Sequence, residues 1–225
     1  MHTTKLALVA ALERELHPLI RTWRTRDETI DGHTHRFYEH ENAVAICGGI
    51  GPGAARRAAE AAITNYNPGK IYSVGFAGAL DPTLKIADLL TPAKIIDAAD
   101  GSATTAEGQG TLITYHSVAT PEQKAKLAAS YAAQAVDMEA AAVARAAQAR
   151  NIPFAAIKAI SDDSTTQLPS MDRFTTADGR FQTSHFAIYA AVRPWMWPAV
   201  MRLARDSRRA SITLCERLNQ IISVR

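Results

Sequence analysis

The apolar runs of this sequence are continuous rather than alternating. LALVAAL (6–12), AVAICGGI (43–50), KIYSVGFAGAL (70–80) and PFAAIKAISDD (153–163) carry apolar side chains at successive positions. A strand of that kind has no polar face to give to water, so it belongs in a sheet covered on both sides. Between these runs lie helical stretches. ERELHPLI reads as a short helix, and the alanine-rich stretch from Gly53 to about Tyr66 as a second. Thr120-Pro121-Glu122-Gln123 is a helix start, with a cap residue, a proline in the first turn and a carboxylate close by. ADLLTPAKIID (87–97) reads extended, TLITY (111–115) as a further strand, and QAVDME leads into another alanine-rich helix. Strands alternating with helices predict an α/β domain, a central sheet flanked by helices.

With 225 residues, 47% of them hydrophobic, the chain can bury one sizeable core, and a single domain over 1–225 is expected. The net charge is +3, with the basic excess late, in RLARDSRRAS and the terminal VR; nothing in it demands nucleic acid. Cys47 and Cys215 make neither a disulfide framework nor a CxxC metal spacing, which fits a reducing cytosol. The first apolar run is short and ends at charged residues, a poor signal peptide and too short to span a bilayer.

In such sheets ligands bind where strands end. The strand ends here are Glu13 and Glu15, GGIGPG (48–53), GFAG, DME and SDD. GGIGPG follows a strand and opens a helix, but its third glycine is misplaced for a dinucleotide fingerprint and no acidic strand end follows at the right distance. A tight turn lining a small-molecule pocket fits better. NPGK lacks the Walker A spacing, and there is no GxSxG elbow. HTHRFYEH (33–40) holds three histidines but neither HExxH nor a zinc-finger pattern; it reads as a hairpin or edge strand, and no metal is assigned. Each acid-bearing strand end admits a plain reading as a helix cap. Asp137 and Glu139 in AVDMEAAAVARAA raise the choice between cap and site most sharply. Three acid-bearing ends in one α/β chain can also converge on one pocket.

Taken in order, VAALERE, CGGIGPGAA, SVGFAGALDPTLKIADLL, AVDMEAAAVA and IKAISDDS resemble the purine nucleoside phosphorylase/nucleosidase superfamily, and within it the methylthioadenosine/S-adenosylhomocysteine nucleosidase type. The likeness covers most of residues 5–164. It implies a single-domain phosphorylase/nucleosidase-like fold with a mixed central β-sheet, and cleavage of an N-glycosidic bond with release of adenine. It assigns roles. Asp162, protonated with the help of burial or a carboxylate neighbour, would donate to N7 of adenine, and Ser161 would orient it. Glu139 would accept from the ribose 2′- and 3′-hydroxyls, Met138 would pack on the sugar, and Glu15 would activate water. Asp137 stays structural. Ile50, Gly78, Phe76 and Lys158 fall among the substrate-binding positions. Phe76 stands where the nucleosidases have a serine, Ser73 where the phosphorylases have a phosphate-holding arginine, and Lys158 where an arginine is common. Water is therefore the expected nucleophile, phosphate stays open as a co-substrate, and no cofactor is implied. A homodimer is expected.

The tail reads as an apolar helix, a Pro-Trp-Met-Trp-Pro break and an amphipathic basic helix, helical over 184–225. It resembles the hopanoid-associated phosphorylase branch, which removes adenine from adenosylhopane. That resemblance implies a lipid-linked substrate and a cytoplasmic enzyme in peripheral contact with the inner membrane face. Phe174, Phe181, Phe186, Tyr189, Trp195, Met196 and Trp197 would form the entrance, and Arg202, Arg205, Arg208 and Arg209 would face anionic lipid. The competing reading of the same tail is a helix packed on the core with a solvated basic face. A non-catalytic nucleoside-binding module is the alternative to an enzyme, disfavoured by retention of all three acids.

Overall fold

A computed structural model of the chain describes residues 5–167, Thr176, Gly179 and 197–224. The expected α/β architecture is present. In chain order the elements are β1 (Leu6–Ala10), α1 (Glu13–Ile20), β2 (Arg24–Ile30), β3 (His33–Glu39), β4 (Ala43–Cys47), α2 (Pro52–Tyr66), β5 (Lys70–Ala79), β6 (Leu89–Leu90), β7 (Lys94–Asp97), β8 (Ala103–Thr105), β9 (Thr111–Thr114), α3 (Pro121–Tyr131), β10 (Ala135–Asp137), α4 (Ala140–Gln148), β11 (Phe154–Asp162) and α5 (Trp197–Ser223).

The strands join one mixed sheet in the order β2-β3-β4-β1-β5-β10-β9-β7-β8, with β11 on β5 and β6. The ten-residue β5 is its hub. Its first half pairs in parallel with β1, most of its length with β11, and its end antiparallel with β10. The end of β5 thus meets the ends of β10 and β11, and three of the singled-out segments come together there. The β5–β11 register shifts between Ile160 and Asp162, which sets Asp162 opposite Gly78. This bulge re-aims the side chains at the strand end.

Helices cover both faces. On one, α2 and α4 lie against the sheet through Ala55, Ala58, Ala59, Ala62, Ala142, Val143, Ala146 and Ala147. Side chains this small let two helices approach each other and the strands closely. On the other face α1 and α5 cover Leu8, Tyr72, Val74, Ile157 and Ala159. Helix α5 starts at Trp197-Pro198 and buries a ridge four residues apart, Asp206, Ala210, Leu214, Leu218 and Ile222. From 206 onward α5 thus packs on the core along this ridge, while Arg202, Arg205, Arg208 and Arg209 are exposed. Phe174, Phe181, Phe186, Tyr189, Trp195 and Met196 lie outside the described residues, as does the helix expected over 184–196.

HTHRFYE forms β3, one arm of a hairpin as expected, but it is not an edge strand: it lies between β4 and β2, and its partner β2 was not foreseen. RTRDETI and HTHRFYE pair residue for residue from Arg24–Glu39 to Ile30–His33. Asp31 and Gly32 turn the hairpin with φ of 49° and 77°. The stretch expected to run extended over 87–97 is broken into β6 and β7.

Candidate active site

The joined ends of β1, β5, β10 and β11 enclose a cavity of about 150 Å³. Glu15, Glu139 and Asp162 all line it, with Ile50, Phe76, Gly78, Met138 and Ser161. Each carboxylate reaches it by a different local device.

Glu15 sits in the first turn of α1 and folds back over the end of β1. Its Oε2 accepts from the N–H groups of Ala11 at 3.0 Å and Leu12 at 2.9 Å, and its Oε1 from that of Phe76 at 3.3 Å. Burial pushes its pKa up, against the pull of these N–H groups and of Lys158. Room for it comes from Gly75, whose φ is +132° and where a Cβ would lie 3.0 Å from Glu15 Oε2. Helix α5 holds α1 in place from behind, since Ser211 Oγ donates to the Glu15 carbonyl at 3.0 Å.

The pair in VDME divides its labour. Asp137 is the cap. Its Oδ2 accepts from Ala140 N at 2.9 Å, its Oδ1 accepts from Thr114 Oγ1 at 2.7 Å, and the Lys158 ammonium lies 2.9 Å from Oδ2. Glu139 occupies the N-cap position of α4 without capping it. Its carboxylate accepts from Gly51 N at 2.9 Å and Met138 N at 3.2 Å instead, which ties the GGIGPG turn to the cavity. Burial and the neighbouring Asp137 push Glu139 up to about 7, against Lys158 and the Gly51 N–H.

Asp162 is buried, with Ser161 Oγ donating to Oδ1 at 2.7 Å. In place of a carboxylate neighbour, an ammonium stands beside it: Lys124 Nζ donates to Oδ2 at 2.5 Å. Gly78 makes the space, for a Cβ there would fall 2.9 Å from Asp162 Oδ2. The two glycines of GFAG, Gly75 and Gly78, are thus the seats of two different carboxylates.

Lys158 requires a correction. It is 1% exposed and does not line the cavity. Burial alone would lower its pKa, but Asp137 and Glu139 outweigh this and hold it raised, so it is a cation beneath the floor rather than a substrate contact. Sequence reasoning also missed Ser117, Val118, Ala119 and Lys124 on one wall, and Leu203 and Ser207 of α5 on another. Ser117 to Ala119 immediately precede the legible cap at Thr120, which was the available signal. Past Arg14, Phe76, Leu203 and Ser207 lies a groove of about 820 Å³ between α1 and α5, whose apolar lining includes Pro18, Val200, Leu203, Ala204 and Ile212.

Among the described residues no helix is long and apolar enough to cross a membrane. The phosphorylase superfamily model matches residues 5–122 and 109–191. No curated protein matches the sequence. Among solved structures, the 5′-methylthioadenosine/S-adenosylhomocysteine nucleosidase of Helicobacter pylori is similar with a TM-score of 0.75 at 17% identity, over 100% of both chains. The Neisseria meningitidis nucleosidase of the same name, in complex with methylthio-immucillin-A, has a TM-score of 0.75 at 17% identity, over 99% of this chain and 100% of that one. Futalosine hydrolase of Helicobacter pylori has a TM-score of 0.69 at 18% identity, over 97% and 98%. At these identities the likeness is one of fold.

Proposed function

The chain belongs to the phosphorylase superfamily, and from that premise we propose that it is a nucleosidase releasing adenine from a 5′-modified adenosine. The observation that carries this reading is the convergence of Glu15, Glu139 and Asp162, from three separate segments, on one small cavity. Breaking an N-glycosidic bond builds positive charge on the sugar and negative charge on the base. Carboxylates on the sugar side stabilise the first, and a proton donor on the base side relieves the second. Glu139, on the rigid start of α4, is the acceptor for the ribose hydroxyls, and Met138 covers the sugar. Glu15 takes a proton from the attacking water. Asp162 donates to N7.

Water is the nucleophile in this reading. Phosphate would bring two negative charges among three carboxylates. Phe76 stands where a small hydroxyl would otherwise assist, and Ser73 is buried where a phosphate-holding arginine would stand. The 5′ substituent points toward Phe76 and the groove between α1 and α5. A thiomethyl group needs little of a groove of about 820 Å³, whereas a polycyclic lipid arm would gain about 25 cal/mol for each Å² of apolar area covered. The resemblance of the tail to the hopanoid-associated branch makes adenosylhopane the favoured substrate, met at a membrane surface.

The test is free adenine released by purified protein from 5′-methylthioadenosine and from adenosylhopane in detergent, each with and without phosphate. Phosphate-independent release, faster from the lipid nucleoside, is expected. Strict dependence on phosphate with a sugar-1-phosphate product would make the enzyme a phosphorylase. Efficient turnover of the small nucleoside alone would remove the lipid arm from the reading. No adenine from either would sink the nucleosidase assignment.

A further inference from the structure

Lys124 lines the cavity without a task in this scheme. It stands in the first turn of α3, where the helix dipole disfavours a cation, and it is 2% exposed. Its Nζ donates to Asp162 Oδ2 at 2.5 Å and to the Asp163 carbonyl at 2.5 Å. Buried ion pairs seldom add stability over apolar residues of the same volume. A buried lysine in the wrong turn of a helix is therefore poorly explained by stability. The surroundings are also cut to fit it. At Gly78 a Cβ would lie 3.2 Å from Lys124 Cε, and Ser161 Oγ occupies the other carboxylate oxygen, Oδ1.

We propose that Lys124 is the proton source for Asp162. This rests on reading the site as an adenine nucleosidase. The C1′–N9 bond breaks and its electron pair passes to the base. N7 takes a proton from Asp162, and Asp162 takes one from the Lys124 ammonium, leaving a neutral amine. Water adds its oxygen to C1′ and gives a proton to Glu15. After the products leave, Glu15 returns its proton to solvent and Lys124 recovers one. The sum is nucleoside plus water giving sugar and adenine. Lys124 acts through Asp162, so it is a positioning and proton-delivering residue. A lysine suits this because its ammonium can give up a proton, which a guanidinium does not.

The experiment compares two leaving groups on the full chain. One probe is whichever of the two adenosines the wild type accepts. The other is the matching 4-nitrophenyl riboside, whose nitrophenolate departs without a proton. In Lys124→Met, adenine release should fall by about 10²–10⁴-fold in kcat with KM little changed, while nitrophenolate release stays within a few-fold of wild type. Lys124→Gln keeps a donor to Asp162 without a transferable proton, and Lys124→Arg keeps the charge; both should lose adenine release selectively. These two variants guard against misfolding of Lys124→Met, with circular dichroism as the check. Wild-type adenine release in folded Lys124→Gln overturns the proposal. So does an equal loss for both leaving groups, which marks a purely structural lysine. A wild type that releases adenine from neither adenosine sinks the nucleosidase reading itself, and this proposal with it.

Discussion

Asp162 shows how much of this site turns on single atoms. Ser161 and Lys124 each hold one of its oxygens, so an amide in its place keeps the shape and loses the transferable proton. Asp162→Asn is expected to lower adenine release by about 10²–10⁴-fold, while nucleoside binding, followed by fluorescence or calorimetry, remains measurable; normal turnover would remove Asp162 from the acid's role. Glu139 titrates within reach of an ordinary buffer series. Its folded pKa, about 7, lies above the ordinary carboxylate value. Between the two the native protein holds a proton that the unfolded chain has released. Stability from this group is therefore full at low pH and falls as pH rises toward and through about 7. Activity should run the other way if the carboxylate is the form that serves the ribose, and Glu139→Gln should flatten both profiles. Glu15, Glu139 and Asp162 were legible because each ends an apolar run, where an acid is conspicuous. Lys124 was not, because it lies 38 residues from its partner, inside a helix start that is complete without it. Lys158 was misjudged because a strand run does not tell which lysine faces a ligand and which faces a buried aspartate.

Elements differ in how plainly they announce themselves. The alanine helices and apolar strands were readable from pattern, since burial on both faces leaves no other arrangement. Strand β2 was not, because RTRDETI is polar on both sides and lies at the edge of the sheet, where only the pairing with β3 orders it. The Asp31-Gly32 turn was the usable signal, as this dipeptide favours the left-handed conformations such a hairpin requires. The contrast between β2 and α4 carries an energetic expectation. Arg36 pairs with Asp27 at 2.8 Å across the exposed hairpin, and Arg36→Ala should leave the unfolding midpoint almost unmoved, because solvent screens the pair. Asp137 joins the start of α4 to β9 and to the buried Lys158. Asp137→Ala should cost about 3–5 kcal/mol, because it strands a buried ammonium. Denaturant unfolding of the two variants measures the difference, and equal costs would deny Asp137 its structural role.

The molecule as a whole gathers opposite charges unequally at the join of its strands. Glu15, Asp137, Glu139 and Asp162 are met there by Lys124 and Lys158. When all are ionised, four carboxylates face these two ammonium groups and the Arg14 guanidinium of the lining, so the enclosure is short of positive charge. Glu139, raised by burial and by Asp137, relieves part of the deficit by keeping a proton. A ligand that brings its own positive charge makes that proton redundant, since an opposite charge close by favours the ionised carboxylate. The pocket should then exchange a hydrogen ion for the cation it admits. Calorimetry can count this exchange, because buffers of different ionisation enthalpy return different heats when protons are released. A ribose mimic with a ring ammonium should release close to one proton per site somewhat below pH 7, and almost none well above it. A neutral carbocyclic mimic should release none at either pH, and Glu139→Gln should abolish the buffer dependence. Seen in this way, the site is an acid–base indicator whose end point is moved by the charge that glycosidic cleavage creates.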